Sequence, residues 1–326
     1  MTPAASFPVP LILGIDLGGT KSAATLQTPT GETRYRVAVP TPARDGADAV
    51  IAALIALARN ASRAANEGGA AIAGCGISAG APADAARGIV YPAPNLPGWS
   101  PDGTPLAQII GDELDLPTYL ENDADATALA EWRFGAGRGT ETMAFVTQGT
   151  GIGSGLVLNG RLHRGAFGAG GEIGHVCVDT SDAARVCACG LRGCLEAYAS
   201  GPSLVRIATE NGYSGESTGA AVADAARGGN PAARAAFARA AEKLGRGLAV
   251  LAMLLNPERI VLGTLAVHAG DLLLPDTLAS LRRHAWHRLA DSLTVVPAEL
   301  GDRAQDLAAL CVYLSRADET SGTMSR

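Results

Sequence analysis

Two segments of this chain share one pattern: an apolar run, a glycine-rich turn and a second apolar run. In the first, LILGIDLGGTKSAATLQ, the run Leu11 to Asp16 stops at Gly18 and Gly19 and resumes at Ser22 to Gln27. In the second, Thr142 to Thr147 stops at GTGIGSG, Gly149 to Gly155, and resumes at Leu156 to Leu158 before Asn159 and Gly160. Short apolar runs bounded by glycine read as strands, so each segment predicts strand, turn, strand. One such unit constrains little. Two, each followed by further strands and helices, predict two related α/β lobes facing each other.

The intervening pattern fits that plan. Arg34 to Val39 is a third strand, and Asp45 to Asn66 is a helix that opens on an Asp cap and ends at Gly68 and Gly69. Ala71 to Ser78 reads as a buried strand, Tyr91 to Pro105 as a proline-rich loop, and Thr118 to Leu120 as a strand running into ENDADA and a helix to about Trp132. Helices follow at Gly201 to Gly212, Thr218 to Gly228 and Pro231 to Leu255, then a strand at Arg259 to Leu262. A helix near Asp276 to Ala290, a strand at Thr294 to Val296 and a helix from Asp302 to about Leu314 complete the chain.

A length of 326 residues suits about two domains. With a net charge of −6 the chain has no field that would gather nucleic acid or an anionic membrane surface. Apolar runs are far shorter than a bilayer span and the N-terminus lacks a secretory pattern, so the cytoplasm is the expected compartment. Of the 26 basic residues only Lys21 and Lys243 are lysine, and the other 24 are arginine. A lysine that persists beside a glycine-rich turn hints that its compact point charge matters there.

Cysteine usage is concentrated. Three of six cysteines fall within CACGLRGC, shortly after a histidine: His175, Cys187, Cys189 and Cys194. Three thiolates and one imidazole fill a tetrahedron around Zn2+ and leave no position for water, which predicts a structural and not a catalytic metal. Gly190 and Gly193 let the chain fold back between the last two thiolates. Ordinary buried or free cysteines are the alternative.

The glycine turns carry a second chemistry. In GIDLGGTK a carboxylate ends a strand and a run of backbone amides follows, an arrangement that lets the main chain approach a phosphate while Asp16 holds Mg2+ through water. A plain hairpin turn explains either turn alone; two together favour a phosphate clamp. Asn122 and Asp123 sit where a strand gives way to a helix, so either could be a cap, or Asp123 a general base acting on a sugar hydroxyl. Glu172, His175 and Glu196 flank the cysteine loop, where they suit hydroxyl recognition or are surface carboxylates and a ligand with no second task.

Taken in order, IDLGGTK, PNLPGW, ENDADA, GTGIGSG, GEIGH and CACGLRGCLEA resemble the ROK family of bacterial glucokinases, N-acetylhexosamine kinases, fructokinases and sugar-responsive repressors, from about Leu11 to Leu314. The resemblance implies an α/β, two-lobed actin-like ATPase fold of the ribonuclease H-like, hexokinase type, with a structural zinc loop. The implied small lobe spans 1–122 with the C-terminal helix 302–326 returning to it, and the large lobe spans 123–301. By position Asp123 is similar to the family's catalytic base, and Asn95, Asn122, Glu172, His175 and Glu196 to its sugar contacts. Asp16 resembles the Mg2+ carboxylate. Gly18, Gly19, Thr20 and Lys21 resemble the first phosphate loop, and Gly149, Thr150 and Gly151 the second. Gly263 resembles the first glycine of a pair that the family carries near the adenine and ribose.

The implied activity is ATP-dependent phosphorylation of a hexose, with ATP, Mg2+ and structural Zn2+ as cofactors, a homodimer as assembly, and neither nucleic acid nor membrane as partner. Glucose is the first candidate sugar and the 6-hydroxyl the first candidate acceptor. N-acetylglucosamine and N-acetylmannosamine kinases, or a non-catalytic sugar sensor, are the alternatives. The family's repressors carry a DNA-binding module ahead of the first lobe, and the ten residues MTPAASFPVP are too few for one. Two departures stand out. Thr264 replaces the second glycine of a pair the family carries after the late strand, and Cys177 follows the zinc histidine, where it reads as a small buried residue and not a fifth ligand.

Overall fold

The structure is a computed structural model that describes residues 9–321. The end of the expected C-terminal helix, 322–326, and the first eight residues lie outside the described residues. In chain order the elements are β1 (Leu11–Leu17), β2 (Lys21–Gln27), β3 (Thr33–Pro40), α1 (Ala47–Glu67), β4 (Ile72–Ala79), β5 (Ala83–Asp84), β6 (Ile89–Val90), α2 (Leu106–Leu114), β7 (Thr118–Asn122) and α3 (Asp123–Phe134). There follow β8 (Met143–Gln148), β9 (Ile152–Leu158), β10 (Arg161–Leu162), α4 (Glu196–Ala199), α5 (Gly201–Glu210), α6 (Gly219–Arg227) and α7 (Pro231–Leu255). The last are β11 (Arg259–Leu262), α8 (Leu265–His284), α9 (His287–Ser292), β12 (Thr294–Pro297) and α10 (Ala304–Ser321). Among the described residues no helix is long and apolar enough to cross a membrane.

The chain forms two compact units, one running to Phe134 and resuming at Gly301, the other spanning Gly135–Leu300. The break therefore falls at Phe134, and not after Asn122, because helix α3 packs on α10. In the first unit the strand order is β3-β2-β1-β4-β7, with β1, β2 and β3 antiparallel and β1, β4 and β7 parallel. The alternation of β1 sends Leu13, Ile15 and Leu17 into a core shared with Val50, Leu54 and Leu57 of α1. Gly14, Gly74 and Gly76 take the intervening positions, and there α10 closes on the sheet. A Cβ on Gly76 would lie 2.0 Å from the Ala309 carbonyl oxygen, and one on Gly74 2.2 Å from the Tyr313 ring, so only glycine admits the helix at this distance.

The second unit repeats this topology as β10-β9-β8-β11-β12, again an antiparallel hairpin beside parallel strands. Its core gathers Val146, Tyr198, Phe237, Leu244, Leu248 and Leu262, and α7 against α8 is its main helix pair. Two local expectations change. Helix α1 has no Asp cap: Asp45 ends a short 3-10 turn and Gly46 occupies the cap position without a side-chain bond. Helix α8 starts at Leu265, eleven residues before the expected Asp276, because Leu265, Ala266, Ala269 and Leu273 are buried and packing carries the helix past Pro275, with a kink at Ala269.

Candidate functional site

In the first unit the parallel strands β1, β4 and β7 end together, and at their carboxyl ends lie Asp16, Gly80 and the pair Asn122 and Asp123. Ligands of open α/β sheets bind at such strand ends. Gly80 joins these groups: its amide donates to the Leu17 carbonyl at 2.9 Å, its carbonyl accepts from Asn95 Nδ2 at 3.1 Å, and a Cβ built on it would lie 3.6 Å from Asp123 Oδ2. Asp16, Asn95 and Asp123 are thus brought into one neighbourhood. Asn122 lies beside it with its amide already engaged. Its Oδ1 accepts from the Ala124 amide at 2.9 Å as the cap of α3, and its Nδ2 donates to the Ala81 carbonyl at 3.2 Å.

The electrostatics of the two carboxylates follow from burial. Desolvation, then the Asp123 and Asp306 charges, push the Asp16 carboxyl up to about 7, against the opposing pull of Arg36 and Lys21. Burial likewise raises Asp123 above the ordinary carboxylate range, although hydrogen bonds from the Ala124 amide and Asn122 partly offset it. A half-buried acid whose ionisation the neighbouring Asp123 charge disfavours, beside a second acid of raised proton affinity, forms a place where a cation or a proton is welcome.

The first glycine turn is held from outside. Gly18 N donates to the Lys21 carbonyl at 3.2 Å, Thr41 Oγ1 donates to the Gly18 carbonyl at 2.7 Å, and the Thr41 amide donates to the Thr20 carbonyl at 3.0 Å. Gly19 faces Asn95, where a Cβ would come within 2.8 Å of Asn95 Cβ. Thr41 is a positioning group that sequence reasoning misses, because it arrives from the end of β3 by strand pairing and belongs to no motif.

In the second unit the turn Gly149 to Gly151 closes with a 3.0 Å bond from Gly149 N to the Gly151 carbonyl. Glu196 reaches it: Oε2 accepts from the Ile152 amide at 2.9 Å, and a Cβ on Gly151 would lie 2.6 Å from that oxygen. One carboxylate oxygen of this expected sugar contact is therefore engaged in fixing the turn. Gly149 and Thr150 also line a cavity of about 470 Å³ with Gly201, Pro202, Val205, Arg206, Ser217 and Gly219. No motif marks the last six, since they come from α5 and the approach to α6. A larger cavity, about 690 Å³, lies by α2 and β7 among Arg87, Asp112 and Arg316, and none of the expected site residues lines it.

Gly263 is a glycine for packing reasons: a Cβ there would lie 2.8 Å from the Phe145 ring. Thr264 next to it adopts φ 44° and ψ −92°, a conformation that a β-branched residue rarely takes. Its hydroxyl lies 3.1 Å from that of Thr147.

His175, Cys187, Cys189 and Cys194 converge, with their ligand atoms all within 4.8 Å of one another. The Cys189 and Cys194 sulfurs are 3.7 Å apart, against about 3.8 Å for two thiolates sharing a tetrahedral Zn2+ at about 2.3 Å. His175 Nδ1 lies 3.7 Å from Cys187 Sγ while Nε2 points to Glu172, 3.9 Å from its Oε2. The donor set fits zinc in kind, number and spacing. Cys177 is exposed, not buried, and its thiol donates to the Asp179 carbonyl at 3.3 Å, so it stands outside the cluster.

The model of the ROK family matches residues 12–314. This chain belongs to the ROK family. A glucokinase of Streptomyces coelicolor is 34% identical over 314 residues, which cover 90% of this chain and 94% of the relative. Among solved ROK structures, a hexokinase from Thermus thermophilus is 36% identical with a TM-score of 0.82, covering 94% of this chain and 99% of that one. A ROK glucokinase from Streptomyces griseus, solved in complex with glucose and AMPPNP, is 32% identical with a TM-score of 0.75 and the same coverage.

Proposed function

We propose that this ROK protein is a hexose kinase of the actin-like, hexokinase-type fold, transferring the γ-phosphoryl group of ATP to glucose, at its 6-hydroxyl. The observation that carries the reading is the neighbourhood of Asp16, Asn95 and Asp123 at the strand ends of the first unit, beside an amide-rich turn. Asp123 orients the attacking hydroxyl and accepts its proton as the bond to phosphorus forms, a task suited to a carboxylate whose proton affinity burial has raised. Asp16 holds the Mg2+ of the bound nucleotide through water, which also relieves the mutual repulsion of the two acids.

The turn Gly18, Gly19 and Thr20, through the Gly19 and Thr20 amides and with the Lys21 ammonium, and the turn Gly149, Thr150 and Gly151, through the Thr150 and Gly151 amides, serve the phosphate chain, while the Gly18 and Gly149 amides hold the turns themselves. The cavity lined by Gly201 and Arg206 suits the rest of the nucleotide. Asn95, Asn122, Glu172, His175 and Glu196 serve the sugar hydroxyls. His175, Cys187, Cys189 and Cys194 hold Zn2+, which supplies rigidity and no chemistry. With Nδ1 turned to the thiolates, His175 keeps Nε2 for a hydrogen bond outward.

The test is ADP release from ATP and Mg2+ across glucose, N-acetylglucosamine, N-acetylmannosamine, mannose and fructose, with Asp123→Ala alongside. Glucose turnover that the variant abolishes is expected. Preference for an N-acetylated sugar would move the substrate assignment, and undiminished turnover by the variant would remove Asp123 as base.

A further inference from the structure

Lys243 is one of two lysines in a chain that otherwise uses arginine, and unlike Lys21 it lies far from any glycine turn. It sits within α7 with its side chain only 10% exposed. Its Nζ lies 3.2 Å from Asp179 Oδ2 and 3.5 Å from Glu242 Oε2, and 5.3 Å from the centroid of the Tyr198 ring. Arg239 approaches the same ring at 5.3 Å. A buried ammonium requires such partners, since an unpaired one would not remain charged.

The partners are what matter. Asp179 and Tyr198 stand on the two legs of the cysteine loop: Asp179 four residues after His175, Tyr198 four after Cys194 and two after Glu196. Tyr198 Oη donates to Asp179 Oδ2 at 2.8 Å and accepts from the Arg185 amide at 2.8 Å, so one hydroxyl ties both legs to the middle of the loop. Hydrogen bonds from Ser181, Tyr198 and Lys243 hold the Asp179 carboxyl well below its usual range. The legs also pair with each other, Val178 N to the Gly193 carbonyl at 2.8 Å and Leu195 N to the Val176 carbonyl at 3.0 Å. Arg246, one turn along α7, donates to the Val178 carbonyl at 3.3 Å.

We propose that Lys243, through Asp179 and Tyr198, braces the cysteine loop against α7 and so positions Glu172, His175 and Glu196 for the sugar, independently of the metal. Lys243 is a positioning residue: it touches none of the candidate sugar groups. An arginine would bring a wide planar fork into a space bounded by a carboxylate, a second carboxylate and an aromatic face, where a compact ammonium suffices. That accounts for lysine persisting here. The kinetic half of this inference rests on the kinase reading; the mechanical half does not.

The experiment compares Lys243→Met, Lys243→Arg and Tyr198→Phe with the parent, each as the full chain with its metal content measured. Tyr198→Phe removes a single hydroxyl and keeps the ring, so it remains informative if Lys243→Met does not fold. Expected is a rise in sugar KM on the order of tenfold, equivalent to the loss of one charge-assisted hydrogen bond, with ATP KM changed by less than about twofold and bound zinc unchanged. Amide hydrogen exchange should quicken in residues 176–198 and not in the first unit. Lys243→Arg should fail to restore either property. Parent-like exchange and sugar KM in both Lys243→Met and Tyr198→Phe would overturn the brace, as would exchange that quickens evenly through the second unit with both KM values rising together. If the chain turned over no sugar, exchange in residues 176–198 would still decide the brace, which separates its failure from that of the kinase reading.

Discussion

The hydroxyls of Thr147 and Thr264 lie 3.1 Å apart at the carboxyl ends of β8 and β11, where Thr264 holds φ 44° and ψ −92°. Backbone strain of this kind costs about 1–3 kcal/mol, whereas the hydrogen bond returns only about 0.5–1.5 kcal/mol. Glycine relieves the strain but loses the bond and costs about 1 kcal/mol through the unfolded chain, and alanine keeps the strain while losing the bond. The expected order of thermal stability is Thr264→Gly close to the parent and Thr264→Ala about 1 kcal/mol below it. Calorimetry of the three proteins checks it, and a glycine variant less stable than the alanine one would refute the strain argument.

This residue also illustrates what the sequence revealed. Thr264 was visible as a departure from a glycine pair, but its backbone angles were not, since they depend on how β11 meets α8. The strand-glycine-strand units were legible because short apolar runs and glycines report local geometry. The convergence of His175 with the three cysteines was legible because few residue types bind metal. Helix α2 and the start of α8 were not, since both rely on packing against neighbours distant in sequence. Glu196 could be placed near the cysteines, yet its bond to the Ile152 amide, and the hold of Thr41 on the first turn, exist only through tertiary proximity.

On the proposed kinase reading, the raised proton affinity of Asp123 sets the acid limb of the reaction. A general base acts only when ionised, so kcat/KM should fall as pH drops through a value above the ordinary carboxylate range of about 4. The Asp123 charge in turn raises the neighbouring Asp16. Raising Mg2+ should therefore move the limb to lower pH, because a cation favours both carboxylates in their charged form. A limb at ordinary carboxylate pH that ignores Mg2+ would contradict the arrangement.

Asp16 stores an electrostatic penalty in the first unit. Its carboxyl titrates at about 7 when folded against 3.8 otherwise, so between those values the folded state binds more protons than the unfolded one. The neutral form favours the fold: stability is greatest below 3.8 and is lost as pH rises through about 7. Asp16→Asn removes the penalty, so without Mg2+ it should be more stable than the parent at pH ~8, by on the order of 2 kcal/mol, and about equal to it at pH ~4. Denaturant titrations at both values check the sign.

The His175, Cys187, Cys189 and Cys194 cluster, read as a zinc site, predicts a separation between sugar and nucleotide. Its four ligands and the candidate sugar groups Glu172, His175 and Glu196 share one loop region, while Gly149 to Gly151 are closed by their own backbone bond. Chelation should remove one zinc per chain and raise sugar KM on the order of tenfold, as losses of ordering around a structural metal do. Glu196 also accepts from the Ile152 amide, so ATP KM should respond, by less than about threefold. Cys189→Ser should reproduce both changes, since a hydroxyl is a poor substitute for a thiolate on zinc. Metal analysis beside the two KM values checks this, and a stripped enzyme with unaltered sugar KM would detach the cluster from sugar recognition.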